Sequence, residues 1–154
     1  MQLQRPRLRT ILMGAAAVLL IAGPAAGTGA EVTRGSFHAF ATGAGMDIGG
    51  HAVMVRTGDG RTFVSVHLTG LSADTTYGAH VHKAACAVGD ADGHYQFVPG
   101  GGANDVNEIW PGFTTNANGV GNGNARNEGI AAPAAVSVVV HAPGGAKIAC
   151  ADLE

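Results

Sequence analysis

Charge is scarce in this chain. Asp, Glu, Lys and Arg make up 13 % of its 154 residues, and nine cations against eleven acids leave a formal net charge of −2. So low and balanced a charge points neither to nucleic acid nor to an anionic membrane as a partner. Helical periodicity is almost absent, and no internal repeat is visible. Long apolar runs are missing too: the one candidate, Ile11–Ala22, is too short for a comfortable membrane span. No cysteine follows that run, so a lipid-anchored form is not expected. The chain has two cysteines, Cys86 and Cys150.

The N-terminus does carry a pattern. Arg5, Arg7 and Arg9 precede the short apolar run, and the small residues of "GPAAGTGA" follow it before Glu31. That order is the signature of a secretory signal peptide over residues 1–30, with cleavage near Ala26 or Ala30, and no membrane attachment afterwards. The remainder, residues 31–154, is enough for one ordinary domain with one core. It keeps both cysteines. In an oxidising, periplasmic or extracellular compartment such a pair is read most simply as a disulfide, two buried free thiols being the alternative.

Periodicity of two dominates what is left. "GSFHAFAT", "HAVMVRT", "TFVSVHLTGL", "YGAHVH", "IWPGFTT", "AAVSVVVHA" and "AKIACADL" read as short strands, separated by clusters such as "TGDGR", "GDADGH" and "VPGGGAND". Many short strands with frequent turns predict an all-β, antiparallel Greek-key sandwich or barrel. The Gly/Asn-rich stretch Asn116–Gly129 is expected to be poor in strand. Alternation also assigns faces. Val136, Val138 and Val140 are the better core candidates, which puts His141 on the outer face. Ala79 and Val81 turn inward, so His80 and His82 stand side by side outward, where a surface copper or zinc site would need them.

Imidazole suits copper, zinc, iron and nickel alike, so histidines by themselves do not name a metal. The order of the pieces is more specific. "HVH", Cys86, "GHYQF", "VVVH" and "AKIAC" follow one another across an exported β-protein. That order resembles the copper/zinc superoxide dismutase family over nearly the whole domain, from Val32 to Leu153. The resemblance implies that His80, His82, His94 and His141 are the copper ligands, with His94 in the place of the histidine that bridges copper and zinc. It implies a Cys86–Cys150 disulfide, and it puts Lys147 where the family has its active-site arginine. Lysine keeps the charge but lacks the forked donors, so it should attract superoxide better than it orients it.

The family's zinc site has no counterpart. Between His94 and Trp110 there is no histidine, only the carboxylates Asp105 and Glu108 in a glycine-rich loop, a poor structural zinc site. Only "APGGA" separates His141 from Lys147, so the long electrostatic loop is missing, and Tyr77 replaces a histidine common before the paired ligands. These departures resemble the copper-only branch of the family, with zinc absent. The activity implied is disproportionation of superoxide to dioxygen and hydrogen peroxide, with His94 supplying a proton. Glu108 is the candidate to hold the second nitrogen of His94. The alternative is a copper carrier or buffer of the cell envelope, meeting a copper-delivery partner and using the same histidines without fast turnover.

The other polar residues receive plainer readings. His38, His51 and His67 lack partners at ligand spacing and are not expected to hold metal. Asp90 and Asp92 begin like a calcium loop but lack its downstream pattern, so a solvated turn is expected. Trp110 is expected in the core or at the rim of the site.

Overall fold

The computed structural model describes residues 29–154; the proposed signal segment lies almost wholly outside them. Among the described residues, nine strands form two antiparallel sheets. In the first, β1 (Glu31–Ser36), β3 (Gly49–Arg56), β4 (Arg61–Thr69) and β7 (Gly121–Glu128) lie in the order β1-β3-β4-β7. In the second, β2 (His38–Ala39), β9 (Lys147–Asp152), β8 (Ser137–His141), β5 (Thr76–His82) and β6 (Phe113–Thr114) lie in the order β2-β9-β8-β5-β6. The predicted all-β, antiparallel class holds.

Strand alternation builds the core. Ala52 and Met54, then Val64, Val66 and Leu68, line the inner face of the first sheet, opposed by Ala79, Val81, Val138, Val140, Ala149 and Ala151 from the second. A smaller cluster lies on the outer face of the second sheet, where Val139, Cys150, Cys86 and Ala91 are buried beneath Phe40. Cys86 and Cys150 are disulfide-bonded there. The bond ties the loop after β5 to the centre of β9.

Three strand assignments change. The first strand begins earlier, at Glu31, and ends at Ser36; after the buried Phe37 the chain crosses to the second sheet as β2 and then makes a single 3-10 turn, Ala41–Gly43. "IWPGFTT" shrinks to Phe113–Thr114, in keeping with a proline that cannot donate to a ladder. The Gly/Asn-rich stretch, expected to be strand-poor, contains the eight-residue β7, paired with β4 from Arg61–Glu128 to Leu68–Gly121. Its glycines fit because the chain beneath them is close. A Cβ on Gly121 would come within 2.2 Å of the Phe113 ring, and one on Gly123 within 2.0 Å of the Pro111 carbonyl oxygen. Packing against a crowded neighbour has overridden a composition that disfavours strand.

Candidate metal centre

Register on the second sheet brings three histidines together. His80 and His82 share the outer face of β5, and β8 lies alongside with Val139 opposite His80 and His141 opposite Gly78. The fourth arrives from the long loop between β5 and β6. Lys83 N donates to Gly93 O at 3.1 Å and Tyr95 N to Val81 O at 2.8 Å, which places His94 beside the end of β5, facing His82. One nitrogen from each of His80, His82, His94 and His141 then lies within 4.8 Å of the others. The outer-face assignment is right, but the site is not a surface one. The loop covers it, leaving His82 fully buried, His141 8 % exposed and the His94 side chain 30 % exposed.

Acceptors behind the rings decide which nitrogens face inward. His82 Nδ1 lies 3.3 Å from the Ala91 carbonyl oxygen and 3.2 Å from that of Asp92. His141 Nδ1 lies 3.1 Å from the Gly145 carbonyl oxygen, and His94 Nδ1 lies 2.7 Å from Glu108 Oε2. These oxygens only accept, so in each ring Nδ1 carries the proton and Nε2 keeps the lone pair. His82 Nε2 and His141 Nε2 consequently face each other at 3.4 Å without a proton between them. His80 Nδ1 is buried with no partner among the described residues. Lone pairs brought together in this way, and a buried nitrogen left unpaired, fit a shared transition-metal ion.

The protonation energetics agree. Burial, reinforced by His94 and His141, lowers His80 to about 4 against a weak opposing pull from Glu108. Burial lowers His82 to about 3, with His94, His141 and Lys147 acting in the same direction. His141 is lowered as well, chiefly by burial, although the Gly145 carbonyl opposes the shift. These three rings are neutral at pH 7, the form that can donate to a metal.

Glu108 lies directly behind His94. It is 2 % exposed, and its Oε2 accepts from His94 Nδ1 at 2.7 Å and from Trp110 Nε1 at 2.8 Å, while Oε1 accepts from Gln96 Nε2 at 2.9 Å. Burial pushes its pKa up, but the donors Gln96, Trp110 and His94 outweigh burial and hold it below the ordinary carboxylate range. A buried anion fixed by three donors is a rigid support for a ligand ring. Trp110 completes the rim, its ring edge-on to His80 with centroids 5.5 Å apart. Gln96 and the indole N–H were not foreseen as parts of this network. Asp105 is exposed and stands outside it, and Tyr77 is buried against Phe113 in the core.

Lys147 reaches the site by way of a bulge. Val140 pairs with Ala149 but His141 pairs with Lys147, so the extra residue Ile148 turns Lys147 onto the histidine face. Its ammonium donates at 2.6 Å to the carbonyl oxygens of both Asp90 and Asp92. Those carbonyls are presented by an unusual turn in which Gly89, Asp90, Ala91 and Asp92 all have φ between +51° and +65°. The predicted solvated turn is therefore solvated on one side only. Its Asp92 carboxylate faces out to Lys83 at 3.2 Å, while its carbonyls face in to Lys147 and His82.

No protein-family model and no curated protein matches this chain. The functional reading therefore rests on the site's own chemistry. Of the histidines outside the cluster, His38 lies on β2 at the sheet edge, stacked edge-on against Phe40. His51 and His67, read from the sequence as lacking partners at ligand spacing, lie directly opposite each other across β3 and β4 on the other sheet. Sequence spacing conceals this because the pairing depends on strand register.

Proposed function

We propose that the protein is an exported, copper-dependent superoxide dismutase with a single-metal centre, zinc being absent, and that it disproportionates superoxide to dioxygen and hydrogen peroxide. The observation that carries this reading is the cluster of four imidazoles in which oxygen acceptors pin the outer nitrogens of His82, His94 and His141, while His80 Nδ1 is buried without a partner among the described residues. His80 would bind through Nδ1 and His82, His94 and His141 through Nε2. Copper in such a set supplies one-electron chemistry by alternating between two oxidation states, which zinc cannot do.

The chain's own residues supply the rest. Reduction of superoxide to peroxide consumes protons, and His94, partly open to water, would relay one through Nε2 whenever that nitrogen is free of the metal. Its bond to Glu108 keeps Nε2 aimed inward throughout. In the copper/zinc branch the second nitrogen of the corresponding histidine is held by zinc; here Glu108 takes that place. Lys147 adds a positive charge beside the histidines, where an anionic substrate gains from it. The disulfide and the N-terminal pattern both favour an exported compartment.

Metal analysis of the purified protein, followed by superoxide-consumption kinetics of the copper-loaded form, tests the proposal. One tightly held copper with turnover well above that of free copper ions is expected. Tight copper without turnover would establish instead the envelope copper carrier or buffer. A stoichiometric zinc retained beside copper would overturn the single-metal reading.

A further inference from the structure

We propose a second metal site, on the opposite sheet, formed by His51 of β3 and His67 of β4 and taking an exposed divalent first-row ion such as Cu²⁺, Ni²⁺ or Zn²⁺. The two residues are direct cross-strand partners, and alternation turns both side chains outward, since Ala52 and Val66 beside them point into the core. Their ring centroids are 5.6 Å apart. Two imidazoles that share an ion at about 2.0 Å from each ring nitrogen leave their ring centres at most roughly 6.4 Å apart. The observed spacing lies inside that limit, so a shared ion needs ring rotation rather than backbone movement.

The neighbour on β7 prepares the pair. Asn122 is the cross-strand partner of His67, and its Oδ1 lies 2.9 Å from His67 Nδ1. With that oxygen accepting, Nδ1 carries the proton and Nε2 keeps its lone pair, the same arrangement that oxygen acceptors impose on three rings of the four-histidine centre. The His51 ring is exposed and makes no hydrogen bond among the described residues, so both of its nitrogens are available. Two imidazoles on adjacent central strands are held by a rigid scaffold, with the ion's remaining positions open to water. Affinity among divalent ions should follow the order set by imidazole ligands, with copper above nickel and zinc. The site lies on a different sheet from the four histidines and does not depend on what they do.

The test uses untagged protein, first filled with one equivalent of Cu²⁺ and desalted, then titrated with Ni²⁺ by calorimetry. One further equivalent of Ni²⁺ should bind. His51→Ala and His67→Ala should each abolish that binding and the protein's retention on an immobilised Ni²⁺ surface, with copper content and far-UV circular dichroism unchanged. Asn122→Ala should weaken it about tenfold by freeing the His67 ring, and His38→Ala should leave it intact. A parent protein that binds no second ion, or His51→Ala and His67→Ala variants that bind Ni²⁺ as the parent does, would overturn the proposal.

Discussion

Lys147 and His82 meet on one oxygen atom. The Asp92 carbonyl accepts the lysine ammonium at 2.6 Å and stands 3.2 Å from His82 Nδ1, so the cation and the ligand ring are positioned by the same left-handed turn. Lys147 is thereby given two roles, holding the turn and supplying charge, and the two can be separated. Lys147→Met should lower the rate with superoxide and also loosen copper, because the turn behind His82 loses its anchor. Lys147→Arg should retain most of both. The charge component alone should fade with salt, since the Debye length falls from about 10 Å at 0.1 M to about 3 Å at 1 M. A Lys147→Met rate equal to the parent's at low salt would remove the steering role.

Glu108 offers the sharpest test of the proposed single-metal centre. Glu108→Gln keeps the shape but removes the anion that fixes the His94 ring. Copper affinity should fall by roughly 10- to 100-fold, as expected for a partner that orients a ligand. Glu108→Ala should also destabilise the fold by about 1–3 kcal/mol for each buried donor left without water or another partner. Competitive chelator titration measures the first effect and urea unfolding the second.

Acid should destabilise the metal-free protein in a defined window. Burial depresses His80 to about 4 and His82 to about 3, so below about pH 6.5 the unfolded chain binds protons that the folded chain refuses. Stability is complete above that value and should decline as pH falls toward 4 and then 3. Glu108, also depressed, contributes a loss of the same sign only below the ordinary carboxylate range. Urea midpoints of the metal-free protein at pH 7, 5.5 and 4 should fall in that order; a flat profile between 7 and 5.5 would show that the rings protonate freely.

The Cys86–Cys150 bond spans 64 residues. Its removal should cost about 4 kcal/mol in the chain-entropy description. It also anchors the loop that carries Ala91 and Asp92, so Cys86→Ser with Cys150→Ser should release copper more readily as well as lower the unfolding midpoint. Thiol titration of the denatured, unreduced protein should find no free thiol.

Much of this arrangement was legible in the sequence because strand alternation is a local property. The outward face shared by His80 and His82, the inward valines Val138 and Val140, and the all-β class all follow from period-two patterning, whereas Val136, expected inward with them, precedes the strand and is only half-buried. What was hidden is non-local. The Gly121–Glu128 strand depends on the depth of the chain beneath it, and the His51–His67 pair depends on a register that places residues 16 positions apart face to face. The covering loop turned an outer sheet face into a buried pocket. The groups that hold the ligand rings in place include the carbonyls of Ala91, Asp92 and Gly145, and every residue has a carbonyl, so no residue type could announce them. Residue identity determined which side chains can bind a metal. The tertiary structure alone decided which of their nitrogens face one another, because that choice is made by main-chain oxygens brought in from distant turns.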